Sequence, residues 1–162
     1  MHKWALVAGF VALAVAVGTA LASSGTPGST RPVTYDANGV LPDDLKVNAD
    51  RIKLQTKDPT NVVVQTITYH AGSASGWHHH PGFVLFVVKS GQLKFHEADC
   101  SVRTLNPGDV MLESGDSPGN LRNESTADAE IGVMFVVPKV GTGSTTDRIL
   151  RIEDTVRCGL NP

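Results

Sequence analysis

The chain has 162 residues, 16 acidic and 14 basic, for a formal net charge of −2. That length suits one domain with its own core, and with no basic run or basic helix nothing points to a nucleic-acid partner. Sixteen glycines and nine prolines, with few long helical patterns, point to an all-β chain with many turns.

Met1 to Ala22 reads as an export signal. Lys3 supplies the positive start, Trp4 to Leu21 is nearly all apolar, and Ala20-Leu21-Ala22 is an A-x-A cleavage signature. Cleavage is expected after Ala22. The apolar run is nearly long enough to span a bilayer, so an uncleaved anchor is the alternative, and only then is a membrane a partner. Either way the domain is expected to be secreted or extracytoplasmic. Ser23 to Arg31 is rich in Ser, Gly and Thr and reads as a linker. Pro32 to Asp44 has no period and reads as an arm of undefined conformation.

Arg51 to Thr56 alternates as a strand, and Asp58-Pro59-Thr60-Asn61 is a turn. Asn61 to His70 is β-branched and predicts a strand. Ala71 to Gly76 is a loop of small residues. Phe83 to Val88 is an unbroken apolar run, predicting a strand buried on both faces. Lys89-Ser90-Gly91-Gln92 reads as a hairpin turn into a strand over Gln92 to Glu97. Ala98-Asp99-Cys100 turns the chain, and Ser101 to Leu105 leads to the turn Asn106-Pro107-Gly108-Asp109. Val110 to Glu113 predicts a short strand, Ser114 to Glu124 a loop, and Glu130 to Val137 a strand ended by Pro138. Gly141 to Thr146 reads as flexible. Asp147 to Asp154 is too short to divide between strand and helix.

Chemistry concentrates in Trp77-His78-His79-His80. In extended backbone His78 and His80 point to one face and His79 to the other. Two adjacent imidazoles can bind a first-row transition metal. Trp77 has the parity of His79, which makes it a packing aromatic. No P-loop or Ser/His/Asp order is present. The two cysteines of an exported chain are expected to pair, Cys100 with Cys158, stapling the C-terminal tail to the domain.

The spacing Gly72, five residues, His78, one residue, His80, three residues, Val84, six residues, Gly91 resembles the first cupin motif. A second half-motif runs from Gly108 to Asn123. The likeness spans Val47 to Pro138. It implies a cupin-type double-stranded β-helix, a jelly-roll barrel, with the histidines inside its mouth. It divides the chain into a signal over 1–22, a linker and arm over 23–46, a barrel over 47–140 and a tail over 141–162.

In that family Val84 would be a glutamate and Gly119 a histidine, so half of the implied metal site is replaced. Ser114 and Asp116 stand where the second motif has a proline and a glycine. The resemblance implies His78 and His80 as metal ligands, and His78, His80 and Asn123 as pocket residues. The cofactor is then a divalent transition metal such as Fe, Mn, Zn, Ni or Cu, weakly held by two imidazoles. The alternative is a metal-free pocket. His70, His96, Glu113, Asp116 and Asn120 are nearby in sequence, but none stands at the spacing of a replacement ligand.

Two function classes follow: an exported barrel that binds a small molecule, or a metal-dependent cupin enzyme of oxygenase or isomerase type. With His78 and His80 inward, Phe83, Leu85 and Val87 face outward. That apolar face is expected to be covered by the strand Arg51 to Thr56 or by a second copy in a homodimer.

Overall fold

The computed structural model describes residues 33–41, 45–139, 150–151 and 156–160. The expected export signal, the linker Ser23 to Arg31 and the stretch Gly141 to Thr146 lie outside the described residues. Within them every regular element is a strand. In chain order these are β1 (Val33–Leu41), β2 (Lys46–Ala49), β3 (Ile52–Gln55), β4 (Thr60–Tyr69), β5 (His78–His79) and β6 (Phe83–Ser90). They continue with β7 (Leu93–Glu97), β8 (Val102–Leu105), β9 (Val110–Ser114), β10 (Gly119–Arg122), β11 (Ala129–Pro138) and β12 (Leu150–Arg151).

The strands form two five-stranded antiparallel sheets, ordered β1-β4-β11-β6-β9 and β12-β5-β10-β7-β8, and a separate β2-β3 hairpin. This is an all-β jelly roll of two sheets. β4 shows why the first sheet has one wet and one dry face. Val63, Ile67 and Tyr69 alternate inward and are buried, while Val64, Thr66 and Thr68 between them are half-buried. The inner cluster joins both sheets: Ile67, Phe86, Met111 and Val133 from the first meet Leu93, Phe95, Leu105 and Leu121 from the second. Burying each such side chain contributes about 1.5–3 kcal/mol before chain entropy is subtracted.

One segment left undefined takes shape, and three local expectations are corrected. The arm at Pro32 to Asp44 contains β1, which pairs with β4 from Val33↔Ile67 to Leu41↔Thr60 and extends the large sheet upstream of residue 47. β6 and β7 are not a hairpin, because they belong to different sheets. Gly91 makes that crossing with a φ of +72°, and a Cβ there would stand 2.6 Å from the Ala129 Cα and the Asp128 carbonyl. The close approach to the start of β11 admits only glycine. β10 forms within the stretch expected to be a loop: Gly119 and Asn120 read as turn residues, but pairing with β7 holds them extended. β6 is fully buried on its inner face only, at Val84, Phe86 and Val88, while Val87 is 38% exposed.

Two expected turns are present. The Asn106 amide donates to Asp109 Oδ2 at 2.7 Å, and the Asp109 amide to the Asn106 carbonyl at 2.9 Å, closing the β8–β9 corner. The β7–β8 turn places Cys100 at a φ of +71°, and there Cys100 is bonded to Cys158. The expected pairing is therefore the one in the structure. Arg157 follows the tail down, donating from Nη1 to the Ala98 carbonyl at 3.3 Å.

Candidate metal centre

The loop of small residues is held from beneath. The Gly72 amide donates to the Asn123 carbonyl, the Ser75 amide to the Leu121 carbonyl and the Asn123 amide to the Ser73 carbonyl, all at 2.8–2.9 Å. These bonds align the chain beside β10, where His78 pairs with Gly119. Extended backbone then sorts the histidines by parity. His78 and His80 are 6% and 4% exposed, and their ring centroids lie 4.7 Å apart. His79 is half-buried, and its parity sets it on the opposite face. The His80 ring meets Phe135 edge-on at 5.6 Å.

A third donor joins them. Glu113 of β9 places Oε2 3.9 Å from His78 Nε2 and 3.9 Å from His80 Nε2. One ligand atom from each of the three residues lies within 4.8 Å of the others. The expectation of two imidazoles with no replacement carboxylate is corrected here: His78, His80 and Glu113 form a group that could hold a metal ion.

The register explains the missing glutamate. Val84, at the position where the family carries the acid, is the direct cross-strand partner of Glu113. Directly opposed residues share a face, with Cβ atoms about 4.5–5.5 Å apart. Glu113 thus stands one strand sideways from Val84, on the same face, 3.9 Å from each histidine. Linear motif spacing cannot detect that shift. The signal that could have found it is parity: Met111 and Glu113 alternate with exposed Val110 and Leu112, so a lone acid stands on the core face of β9.

The second departure has a steric cause. A Cβ on Gly119 would overlap the Phe95 ring of β7. Phe95 fills the space that a histidine at 119 would need, so β10 contributes no imidazole.

The electrostatics suit ligation. His78 Nδ1 lies 2.9 Å from the Gly76 carbonyl, a bond that needs N–H on Nδ1 and puts the lone pair on Nε2, toward Glu113. Burial, then the neighbouring His78 and His79, hold His80 down at about 3, so it is neutral, the ligand form. Burial pushes the Glu113 carboxyl up to about 7. A cation at this point would replace the proton that otherwise keeps the buried acid neutral.

Asn123 has a structural role. It is 1% exposed. Its Nδ2 donates to the Tyr69 and Ala127 carbonyls at 2.7 and 2.8 Å, while Oδ1 accepts from the Ser125 amide and hydroxyl. Those bonds fill its amide and tie the loop after β10 to the end of β4. Trp77 lies outside the inner cluster, 2% exposed, with the Arg157 guanidinium 5.8 Å above its ring.

The fold and this donor group define a jelly-roll barrel with a histidine–carboxylate cluster inside. Residues 65–137, the stretch that holds both histidines and Glu113, match the model of the cupin domain family. No curated protein matches it. Among solved structures it is similar to one of DMSP lyases, at 23% identity over 57% of this chain and 44% of that one, TM-score 0.46. It is also similar to a Cupin 2 conserved barrel domain protein from Salinispora arenicola CNS-205, at 17% identity over 47% of this chain and 62% of that one, TM-score 0.43. An uncharacterized protein with a double-stranded β-helix domain from Klebsiella pneumoniae subsp. pneumoniae MGH 78578 is 27% identical over 52% of this chain and 71% of that one, TM-score 0.43. The chain covers less than two thirds of the first two.

Proposed function

We propose that this protein is a metal-dependent cupin that acts on a small molecule inside the barrel. Its metal is a divalent transition ion held by His78, His80 and Glu113. The observation that carries this reading is the convergence of the three donors in a buried site. Two histidines and one carboxylate with further positions open is the donor set of non-haem iron oxygenases, and three protein ligands is the number that catalytic sites commonly offer. That set favours an enzyme of oxygenase or isomerase type over a passive binding barrel.

When bound, the metal supplies Lewis-acid or redox chemistry to an oxygen-bearing ligand. The chain's own residues do the rest. Gly76 orients the His78 ring through its carbonyl, and Val84, opposite Glu113, and Phe135, against the His80 ring, wall the site with apolar surface that limits water. The Cys100–Cys158 bond and the sequence of Met1 to Ala22 support export to an oxidising compartment.

The test is elemental analysis of protein purified without chelator. One equivalent of a transition metal in wild type, lost in Glu113→Gln with the melting temperature of the metal-free forms preserved, supports the reading. Equal metal content in wild type and Glu113→Gln removes the carboxylate from the site. A metal-free wild type that stays empty after incubation with Fe(II), Mn(II), Co(II) and Zn(II) overturns it.

A further inference from the structure

The inner face of the second sheet carries a cation that the metal site does not use. Arg103 lies on β8 opposite Phe95, and Leu105, two residues on, lies opposite Leu93. Phe95, Leu93 and Leu105 are all members of the inner cluster. Parity therefore directs Arg103 to the barrel interior. It stays exposed because β8 is an edge strand of its sheet, and β9, next along the chain, is an edge strand of the other. The turn Asn106 to Asp109 joins the two strands. Across it Arg103 Nη1 donates to Met111 Sδ at 3.2 Å.

Met111 is 6% exposed and shares a strand face with Glu113. It sits one pleat repeat away, about 7 Å along β9. A thioether is a weak acceptor. No carboxylate is within ion-pairing distance of Arg103 among the described residues, and its side chain is exposed, so a ligand can reach its guanidinium. A guanidinium in that position matches a planar carboxylate, which it binds in bidentate fashion.

We propose that Arg103 anchors the carboxylate of a small organic acid at the open side of the barrel, with the rest of the molecule directed toward His78, His80 and Glu113. The substrate class is thus an organic carboxylate small enough to bridge about one strand repeat. This inference rests on the metal reading for the far end of the ligand only.

The experiment titrates acetate, succinate and benzoate, and their neutral amides, into wild type and Arg103→Met. Both are measured metal-free and loaded with Co(II), by calorimetry and by the cobalt absorption spectrum. Cobalt uptake should be the same in both proteins. At least one carboxylate should bind wild type about tenfold or more tighter than Arg103→Met, the scale of a charge-assisted pair. Its amide should bind wild type no better than the variant. Equal carboxylate binding by the two proteins, no carboxylate binding at all, or a response to inorganic phosphate alone overturns the proposal. A wild type that takes up neither cobalt nor Fe(II), Mn(II) or Zn(II) refutes the metal reading. The metal-free titrations then still decide the role of Arg103 by the same comparison.

Discussion

At the scale of single residues, the site turns on a carboxylate carried by β9 rather than by β6. Because Val84 and Glu113 are directly opposed, the acid should be movable. Glu113→Val should weaken metal binding by more than the ten- to hundredfold that follows loss of a second-shell partner. Adding Val84→Glu should recover a large part of it, as read by competition with a chelating dye. Failure of the double variant to bind better than Glu113→Val would mean that the two positions do not share the site. The same acid sets a pH dependence. In the metal-free protein burial raises its carboxyl from 4.5 to about 7. The folded state then holds that proton more tightly than the unfolded state, so its contribution to stability is full below 4.5 and is lost as pH rises toward 7. Metal-free wild type should lose stability relative to Glu113→Gln across that window, in urea melts at successive pH values. Metal should reverse the loss, because a cation replaces the proton.

Among the elements, β6 and β9 pose the question of cover. Leu112 opposes Leu85 and Val110 opposes Val87 on the outer face, and Leu85 continues to Met134 on β11. β3 pairs with β2 in its own hairpin, and Val87, Val110 and Leu112 remain 38%, 52% and 55% exposed. A contiguous apolar face of this kind marks an interaction surface, and we propose that a second copy of the chain covers it. Light scattering at tens of micromolar should report a dimer, and Leu112→Lys should yield a folded monomer. A monomeric wild type would leave the face uncovered and remove the proposal. In the opposite sheet, Gly119 is held small by the Phe95 ring. Gly119→Ala should lower stability by about 1–3 kcal/mol, the usual cost of overpacking a dense core, as thermal melts would show.

For the molecule as a whole, one covalent bond decides where the tail sits. Cys100 and Cys158 are 58 residues apart in sequence. In the chain-entropy model a loop of that size contributes about 4 kcal/mol by restricting the unfolded chain. Reduction should therefore lower the denaturant midpoint. It should also change Trp77 fluorescence, because Arg157, next to the cysteine, lies over that ring. Unchanged fluorescence after full reduction would show that the tail stays docked without the bond.

The sequence by itself determined the class of fold, the main strands, the disulfide partners and the shared face of His78 and His80. Each of these depends on short-range rules: period-two alternation, turn chemistry at Gly108 and Cys100, and the count of two cysteines. The tertiary structure alone decided the contacts that depend on register between distant segments. It placed Ser90 and Gly91 at a crossing between sheets, because the close approach to Ala129 is invisible along the chain. It made Gly119 to Arg122 a strand, because β7 supplied the pairing that glycine and asparagine do not favour alone. It brought Glu113 to the two histidines, 33 positions beyond His80 in the chain, because cross-strand neighbours share a face whatever their separation in sequence.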